Sequence, residues 1–214
     1  TAGWFTNNAA DMATAIDALV SPTSKSTPPR GCYLDWPDLD ADVRAAYANA
    51  AARFTSSAAP ATTKTFRHSF ERSVETYSTV VAFEAWQVHK SWADRYREQY
   101  DPVVWQRLER GMRVTDAQYE AARQECHVLH AVWSNFFCDF DFLVMPATPF
   151  GALTKAGGTL ANRQRLIALT SPASIGGLPV LTIPVTLPSG LTTGLQIIAP
   201  NPKSAVWSWA LKRS

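Results

Sequence analysis

A chain of 214 residues, 46% hydrophobic and 18% charged with eight tryptophans, can bury a sizeable core, which excludes disorder along its whole length. The net charge of +2 comes from scattered basic residues with no run of five or six Lys and Arg, so nothing asks for nucleic acid or an anionic membrane. No apolar run reaches the ~18 residues of a membrane span, "TAGWFTNNAA" is not a signal peptide, and Cys32, Cys126 and Cys138 form no disulfide framework, so a reducing, cytoplasmic setting is the expectation.

In chain order, residues 7–20 read as a short helix with Ala9, Met12, Ala13, Ile16 and Leu19 on one face. A Pro- and Ser-rich loop, "SPTSKSTPPR", precedes a short strand at "GCYL". Leu39, Val43, Ala46, Tyr47, Ala50 and Phe54 form a stripe at helical spacing, and Phe66 to Trp92 form a second, longer one. Asp101-Pro102 opens a third helix with Asp at the cap and Pro at the first position, and Gly111 is expected to end it. "TDAQ" at 115–118 has capping-box spacing. Behind it, Tyr119, Ala122, Cys126, Leu129, Trp133, Phe136 and Phe140 mark one face of a helix of about six or seven turns. After Phe140 the texture turns to strands: "FLVM" up to Pro146, "LTIPV", and "TGLQIIA" after a turn at Pro188-Ser189-Gly190. A last helix starting near Pro202 carries Trp207 and Trp209. The chain divides into a helical region of about 1–140 and a strand-containing region of about 141–214.

Individual residue clusters point to structure before chemistry. "CHVLH" offers Cys126, His127 and His130, but Cys126 lies on the apolar face, His127 points elsewhere, and no second pair sits at zinc spacing, so no metal site is expected. Asp139 and Asp141 flank a helix-to-strand junction, where Asp makes local hydrogen bonds. Glu84 falls on the inner stripe of its helix and so needs a partner, an Arg or a helix end. Thr1 is a formal N-terminal nucleophile. No Gly-x-Ser-x-Gly elbow, phosphate loop or dinucleotide fingerprint occurs, and no cofactor is expected.

Several segments resemble the amidase signature family, serine-dependent enzymes that cleave amide C–N bonds. "DFDFLVMPATPF" resembles the family's Asp, apolar strand and Pro-x-x-Pro element. "TSPASIGGLPVLTIPV" resembles its Thr-x-Pro-x-Asn-x-x-Gly-Leu-Pro run, "TGLQIIAP" its Gly-Leu-Gln-Ile strand, and "QYEAARQECHVLHAVWSNFFCDFD" the helix leading into the Asp strand. "TAGWFTNNAADMATAIDALV" resembles the Thr-x-Gly-Trp-Phe segment and the helix behind it. These motifs are in register over nearly the whole chain, with residues 55–100 the least similar.

The resemblance implies an α/β fold, a mixed β-sheet surrounded by helices, present as the C-terminal half of the family's fold. It implies a loop facing the substrate made of Thr170, Ser171, Pro172, Ala173 and Ser174, with Ser174 standing where the family usually has Asn. Ile167 stands where the amidotransferase branch has an Asp that holds the donor amide, which argues against glutamine or asparagine as substrate. Arg107, ahead of Gly111, corresponds to that branch's Arg and is placed to bind an acidic substrate group.

No segment matches the family's Ser–Ser–Lys machinery or its Gly-Ser oxyanion loop. Ser56-Ser57 lacks neighbouring glycines, and neither Gly157-Gly158 nor Gly176-Gly177 adjoins a serine pair. No catalytic residue carries over, and a missing oxyanion donor alone costs about 3–4 kcal/mol of transition-state stabilisation. The expectation is a chain that supplies pocket and core elements to an amidase whose catalytic half lies in a missing N-terminal part or a partner chain, with a homo-oligomer also open. A non-catalytic binding relative and a Thr1-dependent amidohydrolase are the alternatives.

Overall fold

The computed structural model describes residues 2–214; Thr1, and with it the N-terminal-nucleophile reading, lies outside the described residues. Among the described residues, eight α-helices surround a four-stranded mixed sheet. In chain order they are α1 (Ala9–Leu19), β1 (Gly31–Tyr33), α2 (Ala41–Ala51), α3 (Pro60–Ser69), α4 (Ser73–His89), α5 (Pro102–Arg113), α6 (Asp116–Asp139), β2 (Phe142–Pro146), α7 (Leu160–Ile175), β3 (Val180–Thr186), β4 (Thr192–Ile198) and α8 (Val206–Leu211). The strands lie in the order β1-β2-β4-β3, with β1 parallel to β2 and the other pairs antiparallel. The expected α/β class holds.

The central strands read as apolar runs because both their faces are covered. Every residue of β2 is buried, and so is β4 from Thr193 to Ile198. Each fully buried side chain of the Leu143, Val144, Ile197 type contributes roughly 1.5–3 kcal/mol. Tyr47 brings a hydroxyl into this core, 2.9 Å from the Leu34 carbonyl and 3.1 Å from that of Val144, so it ties α2 to β2. Phe66, Phe70, Trp133 and Phe136 interlock between α3 and α6, with the Phe66 ring 5.0 Å from that of Trp133.

Local signals place the helix ends. Asn8 accepts from the Asp11 N–H, Asp101 from Val103, and Thr115 and Gln118 form a reciprocal capping box ahead of α6. Asp141 closes the far end of α6, accepting from the Arg30 N–H at 2.7 Å and from the Lys25 ammonium at 2.9 Å. Asp139 pairs loosely with Arg30 at 3.7 Å. Both carboxylates therefore serve the junction.

The structure corrects four expectations. The stripe from Phe66 to Trp92 is two helices, α3 and α4, broken at residues 70–72, and Trp92 lies beyond α4. Gly111 does not end its helix: it is buried within α5, where an added Cβ would collide with the Ala82 carbonyl oxygen. It is the point where α5 presses on α4. Glu84 faces solvent, and its partner is the Tyr119 hydroxyl at 2.9 Å instead of an Arg or a helix end. The last helix starts at Val206 instead of near Pro202.

Candidate functional site

The segment expected as a substrate-side loop is helical. Thr170, Ser171, Pro172, Ala173 and Ser174 form the last turns of α7, and Ser171, Pro172 and Ala173 are buried. Sequence punctuation misleads here because Pro172 is tolerated inside a helix. Lacking an N–H, Pro172 leaves the Ala168 carbonyl without its intrahelical donor. Ala168 lines an open cleft of about 610 Å³ shared with Asp35, Trp36, Lys64, Arg67 and Phe70.

Neighbouring elements hold the turn around the proline. The Trp133 indole N–H donates to the Pro172 carbonyl at 2.9 Å, which also accepts from the Gly176 N–H. The Ser171 hydroxyl donates to that of Ser73 at 2.9 Å, a buried bond between α7 and α4. The helix then stops in a paired-bond cap: Leu178 N–H donates to Ala173 and Gly177 N–H to Ser174. Gly177 sits at φ +60, the left-handed region such a cap requires. His130 donates from Nε2 to the Ile175 carbonyl at 2.8 Å, since a carbonyl can only accept. Gly176 packs on Trp133, whose ring a Cβ would approach to 2.8 Å.

The sheet holds the same turn from below. Gln196 is buried on β4, and its amide donates to the Pro146 carbonyl at 2.9 Å and the Leu169 carbonyl at 2.8 Å. It thereby joins the end of β2 to α7. Beyond Pro146, Ala147 N–H donates to the Gly194 carbonyl, and the hydroxyls of Thr148 and Thr193 meet at 2.7 Å. Gly194 is needed for this approach, because a Cβ would stand 2.9 Å from that of Ala147. The sequence reading missed Ser73, His130 and Gln196 in these roles. Only Gln196 carried a signal, a polar residue in the otherwise apolar "LQII" run.

The other candidates fall apart from this turn. Arg107 is exposed on α5. It lies within electrostatic reach of Arg163 on α7, whose pKa is lowered first by burial and then by Arg107. Neither guanidinium makes an ion pair among the described residues. Cys126 is buried and His127 exposed, and no group of metal-ligating side chains occurs among the described residues. Serine, threonine and cysteine side chains make no hydrogen bond to a Lys or His side chain among the described residues; the Ser171–Ser73 pair has no basic partner.

Comparison with known proteins places this geometry. The family profile described as Amidase matches residues 31–204. The A-subunit of the glutamyl-tRNA(Gln) amidotransferase from Lysinibacillus sphaericus (strain C3-41) is 35% identical over 86 residues, 39% of this chain and 18% of that protein. The chain thus spans less than a fifth of that relative's length in the matched region. A solved amidase superposes with a TM-score of 0.78 at 22% identity, over 97% of this chain and 51% of its own. A chain of an inhibitor-bound vestigial protein complex, solved in connection with an s-triazine catabolic enzyme, superposes with a TM-score of 0.71 at 23% identity, over 86% and 42%. With the profile matched from β1 to the segment before α8, and with that fold, the chain belongs to the amidase family.

Proposed function

We propose that this chain forms the C-terminal part of an amidase that hydrolyses carboxylic amide C–N bonds through a serine acyl-enzyme. The catalytic serines and lysine belong to a part of the enzyme outside these residues, on the same polypeptide or on a partner. The observation that carries this reading is the family match over residues 31–204 in a segment whose hydroxyls have no basic side-chain partner. A serine hydroxyl attacks an amide only when a base takes its proton, and the resulting oxyanion needs preorganised donors.

In this reading the chain supplies one wall of the substrate pocket. The C-terminal turns of α7, with Thr170, Ser171, Pro172, Ala173 and Ser174, form that wall, and the Ser174 side chain is the exposed polar group on it. Ser171, Pro172 and Ala173 act from beneath by fixing the backbone. Arg107, beside Arg163, favours an amide that also bears an acidic group, which two unpaired guanidiniums would bind through charge-assisted hydrogen bonds.

The test is ammonia release from a panel of amides, with and without an acidic substituent. The chain alone is expected to be inactive, and the assembled enzyme active. Arg107→Gln is expected to raise KM for the acidic amides about tenfold with little change for neutral ones. Hydrolysis by the chain alone, lost when the Thr1 amine is blocked, would replace this reading with an N-terminal nucleophile.

A further inference from the structure

Open α/β sheets bind ligands in the crevice outside the carboxyl ends of their parallel strands. The cleft of about 610 Å³ beside Ala168 has that position. Asp35 and Trp36 follow closely on β1, which runs parallel to β2, and Ser57, which bridges Tyr33 in parallel, also lines the cleft. The cleft is separate from the wall that carries Thr170 and Ser174. At about 100° per residue, Ala168 stands about 120° around α7 from Ser174 and about 160° from Thr170.

The cleft combines apolar surface with polar groups that the protein itself leaves unused. Trp36 is 8% exposed and lies under the Arg67 guanidinium, which is 5.6 Å from the ring centroid. Its indole N–H donates to no acceptor among the described residues, and it is not sealed from solvent, since the sealed and unbonded side-chain nitrogen among those residues is that of Trp209. Tryptophan N–H groups find a partner when buried, so a nearly buried one that opens on a cleft is a donor held ready for a ligand. Arg67 reaches Asp38 at 4.0 Å, and Lys64, one turn before it on α3, makes no ion pair among the described residues. Glu71 is taken by His68 at 3.3 Å. The cleft offers acceptors as well. Asp35 has no cationic partner among the described residues, and the Ala168 carbonyl has lost its helical donor to Pro172.

We propose that this cleft binds a free amino acid with an apolar side chain, held as the zwitterion. Lys64, Arg67 and the Trp36 N–H hold its carboxylate, Asp35 and the Ala168 carbonyl hold its ammonium, and its side chain packs on Phe70 and Val74. A simple anion would meet repulsion from Asp35, and a simple cation would meet it from Lys64 and Arg67. A ligand carrying both charges satisfies every one of these groups. The named residues all lie on this chain, so the proposal does not depend on where the serine chemistry resides.

Isothermal titration of the native enzyme with L-phenylalanine, phenethylamine and 3-phenylpropanoate tests it. The two analogues keep the ring and remove the carboxylate and the ammonium in turn, and none of the three contains an amide bond to be turned over. L-Phenylalanine is expected to saturate the site at about millimolar concentration or below, and each analogue to bind about tenfold more weakly or worse. Lys64→Met and Asp35→Asn change exposed side chains, so both variants are expected to keep the parent's circular dichroism and melting temperature. Lys64→Met should erase the preference for the amino acid over phenethylamine and keep the preference over 3-phenylpropanoate, and Asp35→Asn should do the reverse. Absence of saturation, an analogue that binds as tightly as the amino acid, or variants that keep both preferences would overturn the assignment. The readout is binding, so failure here leaves the amide-hydrolysis reading standing, and failure of that reading leaves this site untouched.

Discussion

Gln196→Leu isolates the bond pair that joins the sheet to α7. The substitution keeps the side-chain bulk and removes both amide donors. Pro146 lies past the end of β1, whose pairing with β2 stops at Val144, so its carbonyl keeps no strand partner on that side. The Leu169 carbonyl loses its bond at 2.8 Å, one turn before Pro172 already thins the helical ladder. The Leu169 carbonyl still faces the Ala173 N–H of its own helix, so the Pro146 carbonyl is the acceptor left unsatisfied, at a loss of about 1–3 kcal/mol. For a chain of this length that is a drop in melting temperature of about 2–12 °C. Urea titration and thermal melts followed by far-UV circular dichroism measure it. Gln196→Glu is expected to be worse than Leu, because a carboxylate faces two carbonyls with no donor. If the Leu variant stays within about 0.5 kcal/mol of the parent, or Glu equals it, the two bonds do not hold this turn.

Other outcomes follow from the packing and the charges. Gly111→Ala forces a methyl into the Ala82 carbonyl and should cost about 1–3 kcal/mol, whereas Gly177→Ala, with open space around it, meets only the left-handed backbone penalty of about 1–2 kcal/mol; denaturation curves separate the two. In native protein at pH 8, a thiol reagent should modify the exposed Cys138 quickly and leave Cys32 protected, since burial raises the Cys32 thiol to about 11; complete modification of both at one rate would contradict this. Burial opposes ionisation of Asp141, but the Arg30 N–H and Lys25 outweigh it and lower its pKa. Its contribution is therefore present above the unfolded carboxylate pKa and lost as pH falls through the lower folded value. Asp141→Asn should flatten the acid limb of the stability curve and leave the neutral-to-alkaline limb parallel to the parent.

Much of this fold was legible because several signals agreed locally. The capping box at Thr115 and the three-and-four spacing behind it specify α6, whose buried residues are Ala122, Cys126, Leu129, Trp133 and Phe136. The alternation around Ile183 and the Pro188-Ser189-Gly190 turn place β3 and β4. The errors came where a residue's local preference was overruled by distant contacts. Gly111 and Pro172 are helix breakers by propensity, but Gly111 lets α5 touch α4 and Pro172 is supported by Trp133. Glu84 sits on a helical stripe that the solvent-facing side of α4 shares, so periodicity alone could not orient it. The bonds of Ser73, His130 and Gln196 link residues 27 to 98 positions apart. No single-sequence pattern encodes such pairings.

The central claim is that the serine chemistry lies outside these residues while the pocket wall lies within them. A fluorophosphonate, which bonds covalently only to an activated serine, tests it directly when the isolated chain and the assembled enzyme are treated and read by intact mass and peptide sequencing. The expected result is no adduct anywhere on residues 1–214 in either sample, and one adduct on the catalytic half in the assembled enzyme. A stoichiometric adduct on Ser171, Ser73 or any other residue of this chain would contradict it.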